Sequence, residues 1–166
     1  MIIREATVAD AAKACEVLRA SITELCLADH NQNPEVLRRW LASKTPENVA
    51  AWADNIGRSL LVAIEDNAVL AVGGVTDQGE ITLNYVSPKA RFRGVSAALL
   101  KALEERAVER GAVSATLLST ETAHCFYLSR GYRDTGLPQG KFGTTSSYPM
   151  TRELVADRNE AISRGL

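Results

Sequence analysis

The chain has 166 residues, 46% apolar and 23% charged, with a formal net charge of −1. That is the size of one domain with its own core, and the near-balance of acids and bases gives no strongly basic face for nucleic acid. No apolar run approaches the ~18 residues of a membrane span, and the opening MIIREATVAD lacks the basic-then-apolar layout of a signal peptide.

Ile2 to Glu5 reads as a short strand. Thr7, with Asp10 three residues on, offers a helix start close to a capping box. Ala11, Ala14, Leu18, Ile22 and Leu25 then follow at helical spacing. Asn33-Pro34 and Thr45-Pro46 each pair an N-cap with a proline at the first helical position, opening PEVLRRWLAS and PENVAAWADN. From Ser59 the pattern changes. SLLVAIE, AVLAVGGVT and EITLNYV read as an antiparallel meander, turned at Asp66-Asn67 and at Asp77-Gln78-Gly79. A helix covers Val95 to Arg110, with Gly111 at its C-terminal cap. AVSATLLS is a buried strand and TETAHCFYLSR a second helix, ended by Gly131. Tyr132 to Thr135 is a strand, and Gly136 to Thr145 a Gly/Pro-rich loop. SSYPMTREL returns as a last strand, which Pro149 confines to an edge or bulge. The tail from Val155 is helical or frayed. Without repeats or a linker, one domain over residues 1–166 is expected.

The informative segment is EITLNYVSPKARFRGVSAALLKALEERA. A strand ends at Val86, a basic glycine-containing turn follows, and a helix begins at once. The first amides of a helix have no partners inside it, and the helix dipole favours an anion there. Gly94 permits close approach of the backbone, and Arg91 and Arg93 add positive charge. A nucleotide P-loop would need Gly-Lys-Ser/Thr and a dinucleotide fold would need G-x-G-x-x-G; neither is present.

Val86-x-Pro88 followed by Arg91-x-x-Gly94-x-Ser96 resembles the central motif of the GNAT superfamily, the GCN5-related N-acetyltransferases: V-x-P, then (Q/R)-x-x-G-x-(G/A). Downstream, Ala123, Phe126, Tyr127, Gly131 and Tyr132 fit a second motif of that family, A-x-x-(L/F)-Y-x-x-x-G-(F/Y). Ser96 stands where the first motif has Gly or Ala. Thr120 stands where many members carry an Asn that bonds the pantetheine.

The resemblance implies an α/β (α+β) fold with a mixed, mostly antiparallel central sheet of about seven strands flanked by helices. It implies a transferase that uses acetyl-CoA as cosubstrate, needs no metal, and passes the acetyl group directly to a primary amine. The coenzyme would be held by the backbone of Val86, by Arg91, Phe92, Arg93, Gly94, Val95, Ser96 and Ala97 at the pyrophosphate, and by Thr120. Tyr127 would act as general acid to the coenzyme sulfur, and Glu80 as general base through water. The acceptor would be an amine-bearing small molecule or peptide, shaped by residues 22–40 and 136–148, where Asp29, His30, Trp40 and Tyr148 are candidates. No nucleic acid or membrane partner is expected, and a homodimer is left open.

Cys15, Cys26 and Cys125 are widely spaced and odd in number, which suits free thiols in a reducing cytoplasm. Cys125 reads as a small buried filler, and no Cys/His cluster has metal-ligand spacing. The alternative to an enzyme is an acyl-CoA-binding sensor of the same fold, which would share the loop and have no use for Tyr127. A plain interaction domain would bind no coenzyme at all.

Overall fold

The computed structural model describes residues 1–144 and 146–154. Thr145 and the expected tail from Val155 lie outside the described residues. Strand β1 (Ile2–Glu5) leads into helix α1 (Ala11–Leu25). At that junction the Thr7 N–H donates to Asp10 Oδ2 at 2.7 Å, as the capping signal implies. A single-turn helix α2 (Leu27–His30), which the periodicity did not separate, precedes α3 (Pro34–Leu41) and α4 (Pro46–Ala53). Both prolines sit in the first turn, where no intrahelical N–H is missed. Asn33 Oδ1 accepts from the Glu35 and Val36 amides at 3.0 and 3.3 Å, and Thr45 Oγ1 from the Asn48 amide at 3.2 Å.

The meander forms as read: β2 (Arg58–Glu65), β3 (Ala68–Thr76) and β4 (Ile81–Val86). Asp66 and Asn67 turn the first hairpin with φ of 50° and 61°, the left-handed pair that matches strand twist. The four-stranded sheet runs β1-β2-β3-β4, antiparallel throughout. Both of its faces are covered. Leu60, Val62, Val69 and Val72 pack with Ala14, Leu18 and Val49 of α1 and α4. Leu61, Ala63, Ala71 and Val75 pack with Leu99, Leu103 and Ala107 of helix α5 (Val95–Glu109). This two-sided burial is why β2 and β3 read as continuous apolar runs rather than alternating ones.

Strand β5 (Ser114–Thr120), helix α6 (His124–Ser129), and strands β6 (Arg133–Asp134) and β7 (Ser147–Glu153) complete the chain, with sheet order β5-β7-β6. The result is the mixed, mostly antiparallel architecture of seven strands flanked by helices. Three local readings are corrected. Strand β7 is central in its sheet, so Pro149 is not on an edge strand. It is tolerated because its carbonyl accepts from Thr135 N–H at 2.8 Å just past the end of β6, where the ladder does not need the missing donor. Helix α6 begins at His124, four residues after the Thr120 at which TETAHCFYLSR opens, because the turn before it is held by bonds from elsewhere in the fold. Cys125 is exposed, not buried.

The two sheets meet through one parallel bridge, Glu80 to Thr116, where the Thr116 N–H donates to the Gly79 carbonyl at 3.0 Å. Gly79 has a φ of 92°, and a β-carbon there would collide with the Ser114 carbonyl oxygen. Only glycine lets β4 and β5 touch at this point. Beyond it no further pairing joins them among the described residues, and the open edge of β4 faces a cleft. No helix among the described residues is long and apolar enough to cross a membrane.

Candidate active site

The gap between β4 and β5 is a cavity of about 530 Å³, closed by the start of α5, the end of α1 and the inner face of α6. Its lining holds Arg91 and Arg130 and no carboxylate. Val86, Arg91, Phe92, Gly94, Val95, Ser96, Ala97, Thr120 and Tyr127 all line it. Arg93 and Glu80 do not. Arg93 turns outward and pairs with Glu65 at 2.7 Å. Glu80 lies at the mouth of a second cavity, across the strands.

The α5 end of the cleft is built for an anion. Phe92 and Gly94 both have positive φ, 64° and 75°, and flank Arg93. Such alternation turns successive backbone N–H groups to one side. Gly94 is the N-cap; its carbonyl accepts the first helical bond from Ala98 at 3.1 Å. The amides of Val95, Ser96 and Ala97 therefore have no partner within the helix. The Arg91 guanidinium lies 4.6 Å from the Phe92 ring centroid and has no carboxylate partner among the described residues.

The β4 wall offers backbone. Ser87 N–H donates to the Leu70 carbonyl at 2.7 Å, and Val86 is opposite Ala71. In an antiparallel ladder the bonded sides alternate, so Val86 turns its own N–H and C=O to the open edge. Thr82 Oγ1 and Asn84 Oδ1 are buried there without a hydrogen bond among the described residues. Orphaned polar atoms beside a cleft mark a place where a ligand supplies the partners.

Tyr127 closes the other wall. It is buried, its ring edge-to-face with Phe126 at 5.2 Å and Tyr132 at 5.5 Å. Asn84 Nδ2 donates to the phenol oxygen at 3.2 Å, which leaves the O–H proton to point elsewhere. Burial pushes the phenol pKa up to about 12, against the smaller opposite pull of Asn84. Tyr127 is therefore a protonated donor at neutral pH. Cys26, also in the lining, is pushed up to about 12 by burial and offers no thiolate.

Two contributors escaped the sequence reading. Asn84 shares one face of β4 with Thr82 and stands outside both motifs. Arg130 lies one helical turn beyond Tyr127, on the same face. Thr120 has a structural duty, since its Oγ1 accepts from the Ala123 amide at 3.1 Å and shapes the turn into α6.

Of the acceptor candidates, Asp29 and Trp40 line the second cavity. His30 does not; its Nε2 bonds the Ile22 and Thr23 carbonyls at 3.0 and 3.1 Å, inside the fold. Tyr148 stacks on His124 at 3.7 Å and donates to Glu121 at 2.7 Å. Asp29 is 1% exposed and fastens the turn before α6: Oδ1 accepts from the Glu121 amide at 2.7 Å, and Oδ2 from Thr122 Oγ1 at 2.6 Å. Asp29→Ala strands those donors. Urea unfolding should show a loss of about 3 kcal/mol, since buried bonds to a charged acceptor are worth ~1.5–3 kcal/mol each. A loss below about 1 kcal/mol would deny Asp29 this role.

Residues 26–154 match the family model described as acetyltransferase (GNAT) domain. Among solved structures, a GCN5-related N-acetyltransferase from Rhodopseudomonas palustris is 27% identical, with 92% of this chain and 95% of that chain covered and a TM-score of 0.80. The PaiA N-acetyltransferase of Thermoplasma acidophilum, in complex with coenzyme A, is 18% identical over 92% and 98% of the chains, with a TM-score of 0.78. An aminoglycoside 6'-N-acetyltransferase from Enterococcus faecium is 16% identical over 93% and 97%, with a TM-score of 0.69. None of the curated proteins matches the chain significantly.

Proposed function

From the premise that this chain belongs to the GNAT acetyltransferase family, we propose that it moves an acetyl group from acetyl-CoA directly onto a primary amine. The observation that carries this reading is the cleft: two arginines and the free amides of a helix start face it, and no carboxylate does. That is an environment for a pyrophosphate. The neighbour in complex with coenzyme A supports the same ligand here.

In this reading the pyrophosphate rests on the amides of Val95, Ser96 and Ala97, with Arg91 as counter-charge. Arg93 contributes only to the field around the loop, since it is engaged with Glu65. The pantetheine arm pairs with the open edge of β4 at Val86 and reaches Thr120. The amine nitrogen attacks the thioester carbonyl carbon, and the Val86 amide stabilises the oxygen as charge develops. As the C–S bond breaks, Tyr127 donates its O–H to the departing sulfur. A phenol near 12 is a weaker acid than an ordinary thiol near ~8.5, so Tyr127 acts by hydrogen-bonding the thiolate rather than by outright ionisation. The proton lost from the amine passes through water to Glu80. Of the two carboxylates lining the second cavity, Asp29 is occupied by the turn before α6, and Glu80 has no side-chain hydrogen bond among the described residues.

The test is thiol release from acetyl-CoA with a panel of amines, with the acetylated product identified by mass spectrometry. Amine-dependent release is expected. Coenzyme binding without turnover of any amine would replace this reading with that of an acyl-CoA sensor.

A further inference from the structure

The second cavity, of about 290 Å³, shares Ile81, Thr82, Leu83, Leu118 and Thr120 with the coenzyme cleft. A molecule lying in it meets the cleft along β4 and β5. Its volume is at the small end of the ~300–1,000 Å³ typical of small-molecule sites.

The charge of its lining is unusual for a site that takes an amine. Lys44, Lys141 and Arg58 face it, against Asp29 and Glu80. Lys44 is 8% exposed, and its ammonium donates to Ser43 Oγ at 3.2 Å. Both lysine ammoniums gather over one ring: Lys44 Nζ is 5.9 Å and Lys141 Nζ 5.2 Å from the Phe142 centroid. None of the three cations has a carboxylate within ion-pair distance among the described residues. Asp29 does not compensate them, because its oxygens are taken up by Glu121 and Thr122. Burial and the neighbouring Lys141 both push the Lys44 pKa down. A buried ammonium without a counter-ion is costly, and an anion between Lys44 and Lys141 removes that cost.

We propose that the acceptor is a small amine that also carries a carboxylate, an amino-acid-like molecule whose anion sits between Lys44 and Lys141 while its amine points into the coenzyme cleft. This rests on the acetyltransferase reading and names its substrate class. A polycation would meet like charge from Lys44, Lys141 and Arg58, and a large oligosaccharide would exceed the cavity.

The experiment is thiol release from acetyl-CoA with the common L-amino acids, the matching amino-acid amides, spermidine and kanamycin. At least one free acid should exceed its amide in kcat/KM by about tenfold or more, the worth of one charge-assisted contact. In Lys44→Met that preference should collapse toward one, mainly through KM, and Lys44→Arg should restore part of it. Lys141→Ala, an exposed position, should reduce the preference in the same direction and serves if Lys44→Met does not fold. Amides or polycations preferred over acids would overturn the carboxylate assignment and leave the acetyltransferase reading standing. Coenzyme binding with no amine turned over would overturn both.

Discussion

Gly94→Glu should weaken coenzyme binding by about 100-fold or more, equivalent to ~2.7 kcal/mol. Gly94 holds a φ of 75° at the N-cap of α5, and a β-carbon built there meets nothing within 4 Å. The fold therefore pays only the left-handed strain, about 1–2 kcal/mol. The loss of binding has a separate origin. A carboxylate at this point satisfies the Val95, Ser96 and Ala97 amides itself, in the manner of an N-cap side chain. It then repels the pyrophosphate that would otherwise sit there. Gly94→Ala carries the strain without the charge, and should bind far better than Gly94→Glu. Isothermal titration with coenzyme A on both variants separates the two effects. Normal binding by Gly94→Glu would remove the loop from the coenzyme site.

Tyr127→Phe should lower kcat by roughly 100-fold while leaving coenzyme affinity within about twofold, in line with the ~10²–10⁴ that a positioned acid contributes. Phenylalanine keeps the edge-to-face contacts with Phe126 and Tyr132, so the wall of the cleft persists. It loses the O–H proposed to bond the leaving sulfur and strands Asn84 Nδ2. Because the phenol pKa is about 12, its titration falls above the working range, and wild type and variant should show the same pH profile below pH ~9. Steady-state kinetics against pH, with a melting curve for each protein, makes the comparison. Unchanged kcat would take Tyr127 out of the chemistry.

What the sequence disclosed and what it hid divide along chain separation. The Asp66-Asn67 turn, the caps at Asn33 and Thr45, and the long helix from Val95 are local, and adjacent residues specify them. The cleft lining from Val86 to Ala97 was legible for the same reason, being one contiguous strand-loop-helix. Arg93 shows the limit, since spacing places it in the loop but cannot say that its side chain turns to Glu65. The Asn84–Tyr127 bond joins residues 43 apart, and the Asp29–Glu121 bond residues 92 apart. Neither leaves a trace in periodicity. Pro149 was misread because a proline's cost depends on which side of the strand is bonded, a fact of sheet order. Lys44 lies in the short link between α3 and α4, and no motif singles it out. Its ammonium meets Phe142 of the 141–144 loop at 5.9 Å, a contact about a hundred residues away in the chain.

In the proposed function the β4–α5 loop binds acetyl-CoA through its phosphates. The most direct test is the melting temperature of the purified protein with saturating acetyl-CoA, with coenzyme A and ATP as comparisons. At ~100 times the dissociation constant the ligand adds ~2.7 kcal/mol, a rise of roughly 5–10 °C for a domain of this size. That rise is expected with both coenzyme forms and not with ATP. No shift with either coenzyme form, or an equal shift with ATP, would contradict it.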